Sequence, residues 1–373
     1  MSKRFVYLTS LLIMFSSPVY ADDTSVLTQI YQDVLDEYVI PVDLDAIVVP
    51  ALKGLNKLDP HIRVADDGGR VSVYAGGRLL KTMRKPQNPK DVAAWVKLTE
   101  AIIKAARKAS PELERKDFEI VDTMMAHGIK GFDNDSNYYP DLELSNPPQP
   151  EFKPKRAFYD RVLNGNLLYL RMGAINKYTK ENVSKSLWEN QQIKGVIIDL
   201  RGNPGGVLKE AVRVAGMFID GGIIASTKGR AADSVEFYNA PSGDVLKNKP
   251  IVVLVDGQTA SSAEVLAAAL QEQSRATVIG TDSYGKGTVQ KLIKLENNSR
   301  LAITNAVIFT PSGNKIAAGG IHPDICTSGE LENRDPEKII ARNSVHGLCE
   351  KQNRQDSDLD LDVALTYLQK QIK

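Results

Sequence analysis

The second half of the sequence predicts an α/β fold built on buried strands, and three observations carry the prediction. Two short, mostly apolar runs, residues 195–200 (G-V-I-I-D-L) and 251–255, are too short for helices and rich in the β-branched residues of strands covered on both faces. From Arg156 onward such runs alternate with segments of helical periodicity, the pattern of strands joined by helical crossovers. Small-residue turns at 201–206 and 256–263 each lead one of these strands into a helix.

The chain begins with Lys3 and Arg4, an apolar run over 5–15 and the small-residue stretch Val19-Tyr20-Ala21. A basic start, an apolar core and a small-residue cleavage site predict a secretory signal cut after Ala21, and hence an exported, periplasmic protein if the source is Gram-negative. No cysteine lies near the cut, so no lipid anchor is expected, and no later stretch is long and apolar enough for a membrane span. With 47 basic and 46 acidic side chains the net charge is +1, which gives no basis for nucleic acid or an anionic membrane as a partner. The two cysteines, Cys326 and Cys349, either form a disulfide tying the C-terminal tail to the core, as an exported chain allows, or remain free thiols. His61, His127, His322 and His346 are scattered, without metal-ligand spacing, and no metal site is expected.

Helical periodicity marks residues 24–58, 90–109 and 117–129. A short strand is read over 71–74, and otherwise the region 62–155 reads as mainly helical. Residues 132–140, F-D-N-D-S-N-Y-Y-P, resemble the start of a calcium loop, but Tyr138 stands where that loop needs glycine, so a turn is expected. The proline-rich stretch 146–154 reads as a linker. Beyond it come a strand over 166–172, a helix over 182–192, the strand 195–200, a helix after 206, the strand 251–255, a helix after 261, a strand over 277–280, and paired strands over 288–295 and 301–309. The acidic, amphipathic end of the chain predicts a packing helix. The expected organisation is a signal peptide over 1–21, a helical N-terminal region over 22–145, a linker over 146–155, a catalytic domain over 156–330 and a helical tail over 331–373.

The chemistry concentrates in the turn that follows the strand 251–255. A serine at a helix N-terminus, Ser261 or Ser262, is a cap by default. The same position surrounds it with free backbone N–H groups that could hold a developing oxyanion. A nucleophilic serine needs a base. No histidine lies in a motif near either serine, and the stretch S-Y-G-K-G-T-V-Q over 283–290 offers Lys286 between two glycines instead. Gln290, four residues on, could orient the amine. The glycines of R-G-N-P-G-G, residues 201–206, could present a backbone N–H to the oxyanion, whereas a phosphate loop would need a lysine directly after them.

Taken together, G-N-L-L-Y-L-R-M, I-I-D-L-R-G-N-P-G-G, T-A-S-S-A-E-V-L-A-A-A-L-Q, G-K-G-T-V-Q and T-P-S-G-N-K-I…G-G-I-H-P-D-I resemble, in order, the catalytic domain of the C-terminal processing peptidases, or tail-specific proteases. The resemblance covers residues 156–325. It implies a serine endopeptidase with a crotonase-like β-spiral fold, no cofactor, and protein or peptide substrates, cut near their C-termini among envelope proteins. It implies a Ser-Lys dyad of Ser261 and Lys286, with Gln290 positioning the lysine. The oxyanion hole would come from the backbone of Gly205, Gly206 and Ser262, and Glu272 would be a supporting carboxylate.

The family usually carries a helical region ending near L-D-P-H-S-x-Y, then a PDZ domain, then the catalytic domain. Here residues 132–140 are a degenerate form of that marker and residues 58–61 a second partial match. Only 15 residues separate Pro140 from Arg156, and the stretch 62–155 shows no G-L-G-type carboxylate-binding loop. The expectation is therefore a chain without a PDZ domain, whose N-terminal helical region serves as the docking surface for an adaptor or a second copy. A catalytically silent binding or scaffold protein on the same fold is the alternative.

Overall fold

The computed structural model describes residues 23–115, 119–140, 157–328, 335–342, 349–354 and 358–372. The expected signal peptide and linker, and His346, lie outside them. Two compact units divide the chain: one takes residues up to 33, 43–145 and 293–301, the other 34–42, 146–292 and 302–373.

The first unit is α+β. Helices α1 (Asp23–Glu37), α2 (Asp45–Lys53) and α3 (Leu55–Leu58) are followed by strands β1 (Ile62–Asp66), β2 (Arg70–Ala75) and β3 (Arg78–Arg84). These three form an antiparallel meander in the order β1-β2-β3, so the helical reading of this region is corrected over 62–84. The glycine pair Gly76-Gly77, with φ of +54° and +86°, supplies the positive-φ turn between β2 and β3. Only Ile62, Val64, Val71 and Val73 of the meander are fully buried, while β3 is mostly solvated and stands at an edge of its sheet. Helix α4 (Val92–Arg107) starts where the Asp91 side chain accepts from the Ala94 N–H at 3.0 Å, and it buries Trp95, Leu98, Ile102 and Ala106 along one face. The short α5 (Pro111–Glu114) leads to α6 (Glu119–Lys130), which crosses α2 closely: a Cβ on Gly128 would stand 2.7 Å from the Ala51 Cβ. After α6 the Asp133 carboxylate accepts from the Asp135 and Ser136 N–H groups, the expected turn, before β4 (Asn137–Tyr139).

The second unit carries the α/β alternation. Its elements are β5 (Phe158–Leu163), β6 (Leu167–Met172), α7 (Thr179–Glu189), β7 (Gly195–Asp199), α8 (Leu208–Ala215), β8 (Ile223–Gly229), β9 (Glu236–Asn239), β10 (Ile251–Val255), α9 (Ser262–Glu272), β11 (Thr277–Gly280), β12 (Thr288–Lys294), β13 (Arg300–Phe309), β14 (Ile325–Cys326), α10 (Pro336–Arg342) and α11 (Asp358–Gln371). A six-stranded sheet runs in the order β14-β11-β10-β7-β6-β5, parallel except for the antiparallel edge strand β5. The second sheet pairs β8 antiparallel with both β13 and β9.

Side-chain alternation explains why the central strands read as almost continuous apolar runs. Val196, Ile198, Val253 and Val255 point to one face, where Ala211, Val214, Leu266 and Leu270 of α8 and α9 cover them. Ile197, Val252 and Leu254 point to the other face, against Ile339 of α10 and Val363, Ala364 and Leu368 of α11. The tail helix thus completes the core, each fully buried Leu or Ile contributing about 1.5–3 kcal/mol.

Candidate active site

In a parallel sheet, loops leaving the carboxyl ends of adjacent strands come together. Here β11, β10 and β7 are adjacent, and the loops that follow them are 281–287, 256–261 and 200–206. These are the three stretches singled out from the sequence.

The serine loop is organised by Asp256, a fully buried residue whose carboxylate accepts from the N–H groups of Gly202 (2.7 Å), Gln258 (3.1 Å), Thr259 (3.1 Å) and Arg354 (2.9 Å). Thr259 Oγ1 donates to Leu200 O and the Ala260 N–H to Asn203 O, both at 2.9 Å, so the serine loop is stitched to the glycine turn beside it. Ser261 then takes φ +57° and ψ −125°, outside both helical and strand regions, a conformation that costs on the order of 1–3 kcal/mol. Ser261 is half-buried, whereas Ser262 is 1 % exposed. Of the two serines, Ser261 is the one a substrate could reach.

Gly205 and Gly206 of the glycine turn lie against this serine. A Cβ on Gly205 would stand 2.8 Å from the Ser261 Cβ and 3.0 Å from the Ser262 N. Gly206, at φ +143°, leaves its Cβ position 1.9 Å from Ile175 O, so no side chain fits. The Gly205 N–H donates to Asn203 Oδ1 at 2.8 Å and is therefore occupied. Around Gly206 the Ile175 N–H donates to Gly205 O and the Val207 N–H to Ile175 O, which turns the Gly206 N–H to the opposite side. The Ser262 N–H belongs to the first turn of α9 and has no intrahelical acceptor.

The lysine loop is joined to the serine loop by one carboxylate that the sequence reading did not single out. Glu264, fully buried in the first turn of α9, accepts the Ser261 N–H at 2.8 Å and the Lys286 N–H at 2.9 Å on Oε2. Its Oε1 accepts the Ser283 hydroxyl at 2.5 Å and the Gly285 N–H at 2.7 Å. Burial pushes the Glu264 carboxyl above the ordinary carboxylate range, against the pull of these hydrogen bonds. A further bond, from the Tyr284 N–H to Thr259 O at 2.9 Å, ties the two loops directly. The spacing S-x-x-E of Ser261 and Glu264 is the sequence signal that could have pointed to this residue.

Lys286 is half-buried between Gly285 and Gly287, whose Cβ positions would lie 2.1 Å from Ala317 O and 1.9 Å from Ile316 O. The flanking glycines let the loop press onto the backbone at 316–317. Gln290 lies on β12, and its side-chain amide donates to Thr288 Oγ1 at 3.0 Å, residues i and i+2 sharing one strand face. Glu272 is the last residue of the 11-residue α9, which places it about 16 Å along the helix axis from Ser261. There its carboxylate accepts the Ser312 N–H at 2.8 Å, away from the three loops. The Cys326–Cys349 pair is bonded, with the Cα atoms 5.8 Å apart. Among the described residues no helix is long and apolar enough to cross a membrane, and no group of three or more His, Cys, Asp or Glu is arranged to hold a metal.

Residues 166–327 match the model of peptidase family S41. The chain is 41% identical over 182 residues to a carboxy-terminal-processing protease of Bartonella bacilliformis, an overlap of 47% of this chain and 41% of that one. It is 34% identical over 181 residues to the carboxy-terminal processing protease CtpA of Bacillus subtilis, covering 46% of this chain and 37% of the relative. The chain thus spans less than half the length of these curated relatives. Among solved structures, the photosystem II D1 C-terminal processing protease superposes over 86% of this chain and 97% of its own at a TM-score of 0.53, with 18% identity, a likeness of fold. Over residues 166–327 the chain is thus similar to peptidase family S41, and the relatives it matches there are carboxy-terminal processing proteases.

Proposed function

We propose that the protein is an exported serine endopeptidase that cleaves envelope proteins near their C-termini with Ser261 as nucleophile and Lys286 as general base. The observation that carries the reading is the Glu264 carboxylate, which binds the backbone N–H of both residues and so holds the two loops in one register. In this mechanism the neutral Lys286 amine takes the proton of Ser261 as Oγ attacks the scissile carbonyl. The tetrahedral oxyanion is held by the N–H groups of Ser262 and Gly206, the two donors of the expected set that the turn leaves available. Lys286 then delivers the proton to the leaving amine, and water hydrolyses the acyl-enzyme with Lys286 again as base. Gln290 acts through Thr288 to orient this segment. The crotonase-like spiral is the finer fold assignment that goes with this reading.

Recognition of a substrate tail has a candidate place in the first unit. A cavity of about 770 Å³ lies between β3 and α4, with Ala75, Leu80, Ala101 and Ala105 in its wall and Arg78, Lys81, Lys104 and Lys108 at its rim. An apolar wall with four cations suits an extended chain end bearing carboxylates, and the solvated edge strand β3 offers backbone groups to it.

The test is hydrolysis of casein by the full chain beside Ser261→Ala and Lys286→Ala, from neutral to alkaline pH. Loss of activity in both variants is expected, and activity kept in either overturns the dyad. The engaged Gly205 N–H favours one second reading, a binding or partner-dependent protein whose oxyanion site is incomplete by itself. Casein left intact by the wild type, together with capture of envelope proteins on Ser261→Ala, would select it.

A further inference from the structure

The tail of the chain crosses both candidate catalytic loops, and nothing in the dyad mechanism uses it. Strand β14 lies beside β11 with Cys326 opposite Gly280, the residue from which the lysine loop departs, and the Thr327 N–H donates to Gly280 O at 2.8 Å. The disulfide hooks Cys349, 3 % exposed, to this point. From there the chain runs over the site. The Glu350 N–H donates to Ser328 Oγ at 3.0 Å, and the Lys351 ammonium to Tyr284 O at 2.7 Å and Ala318 O at 2.5 Å. Gln352 bonds both loops at once, its O accepting the Gly257 N–H at 2.8 Å and its N–H donating to Thr281 Oγ1 at 3.3 Å. The Arg354 N–H reaches Asp256 Oδ2 at 2.9 Å, its guanidinium reaches Thr327 O, and its carbonyl accepts from Arg201 at 3.0 Å. Six residues thus touch the glycine turn, the serine loop and the lysine loop. The contact with the serine loop is close: a Cβ on Gly257 would stand 3.1 Å from the Gln352 N.

We propose that residues 349–354 form a strap that positions the serine and lysine loops, and that the Cys326–Cys349 disulfide makes this positioning redox-sensitive. The inference rests on the Ser-Lys reading above and adds a means of regulating it. A dithiol reductant would break the S–S bond, supplying two electrons and two protons and becoming a disulfide itself, and leave two thiols. The strap then keeps its hydrogen bonds but loses the covalent hook that makes them local. Each bond to a loop must afterwards compete with water and with the entropy of a connection held only at α10 and α11. Because reacting groups misplaced by about 1 Å can lose roughly a hundredfold in rate, a loosened strap lowers turnover more than substrate binding. Lys351 is a positioning residue in this scheme, acting through the backbone of Tyr284, two residues before Lys286.

The experiment compares the full chain oxidised and after reduction by dithiothreitol, reading amide hydrogen exchange of peptides covering 256–261 and 281–286 together with casein hydrolysis. The expected result is faster exchange in those two loops while the α9 interior stays protected, a fall in kcat of about tenfold with KM little changed, and recovery on re-oxidation. Lys351→Met, which keeps the disulfide, should lower kcat in the same sense, with Lys351→Arg restoring it. Exchange that does not respond to reduction overturns the strap whatever the activity. Exchange that rises while kcat stays constant overturns the positioning role. Loosened loops in a protein that never cleaves casein would uphold the strap and place the failure on the peptidase reading.

Discussion

Replacing Glu264 by glutamine changes one oxygen of a fully buried carboxylate into an NH₂ group, and the four recorded donors fix what that costs. With the amide nitrogen at the Oε2 position, the N–H groups of Ser261 and Lys286 would both face a donor. With it at the Oε1 position, the Ser283 hydroxyl, which already accepts the Ile321 N–H at 2.6 Å, can turn to accept from the amide as well, leaving the Gly285 N–H facing a donor and the Ser283 O–H without its carboxylate acceptor. The side chain should take the second orientation. One buried unpaired N–H costs about 1–3 kcal/mol, and the remaining bonds lose their charge assistance. Part of this is offset, because burial already disfavours the ionised carboxylate. The net expectation is a loss of about 1–3 kcal/mol, a drop in Tm of roughly 2–12 °C for a unit of this size. Glu264→Ala strands all four donors and should cost about 4 kcal/mol or more.

The assay is thermal unfolding by circular dichroism beside casein hydrolysis. Both should fall in Glu264→Gln, and further in Glu264→Ala. The sign of the pH dependence adds a check. The folded pKa of Glu264 is raised above its ordinary 4.5, so this group's contribution is full below about pH 4.5 and is lost as pH rises through the folded value. Glu264→Gln should lack that slope. A glutamine variant with wild-type Tm and wild-type rate would refute the claim that this carboxylate holds the two loops together.

Two further substitutions probe the frame around the site. Gly206→Ala forces a Cβ to 1.9 Å from Ile175 O at φ +143°, and should cost more than about 2 kcal/mol in the urea midpoint while removing casein hydrolysis; a well-folded, active Gly206→Ala would contradict the fitted turn. Asp199, fully buried, accepts from Arg201 (2.7 Å), Arg171 (2.9 Å) and Tyr169 (2.6 Å). Burial opposes its ionisation, but the Arg201 and Arg171 guanidiniums hold the Asp199 carboxyl below its ordinary 3.8. Its stabilisation is therefore complete above about pH 4 and is lost as pH falls through the folded value. Asp199→Asn should lose about 3–5 kcal/mol at pH 7 and progressively less as pH falls below about 4, read from urea midpoints, and losses that do not shrink with falling pH would refute the ionic account.

What the sequence made legible follows from what local pattern can encode. Strands β7 and β10 are covered on both faces, so every position but Asp199 at the end of β7 is Gly or apolar and the run stands out; α4 and α6 show a single buried stripe. Strand β3 carries Arg78, Lys81 and Arg84 with only partial burial of Leu80 and Met83, so no period-2 signal separates it from a solvated helix. Its strand character comes from pairing with β2 and from the Gly76-Gly77 turn. Likewise the pair β8 and β9 leaves little trace in the sequence, because β9 carries only Phe237 and Tyr238 as large apolar side chains and Phe237 is exposed. The site residues divide the same way. Serine, lysine and the glycine turn are visible as types at a spacing. Asp256 and Asn203 look like ordinary turn residues until the sheet order brings their loops side by side. The Arg201–Asp360 pair joins residues 159 apart, and no local signal can reveal it.

A serine and a lysine separated by 25 positions meet at one site only if two loops from different strands keep their register to within a fraction of an ångström. The sheet supplies the coarse part of that register, since β10 and β11 pair in parallel up to Val255 and Gly280, the residues from which the loops leave. Beyond those residues the ladder ends, and carboxylates take over its work: Asp256 ties the serine loop back to the glycine turn, and Glu264 ties it forward to the lysine loop. Both are acceptors set among backbone donors, so each fixes several N–H groups with one rigid side chain. The strained conformation of Ser261 is tolerable on these terms, because its own N–H is one of the groups Glu264 holds. The most informative variants for the proposed chemistry are accordingly those at Glu264, where the nucleophile's strain and the lysine's placement depend on the same two oxygens.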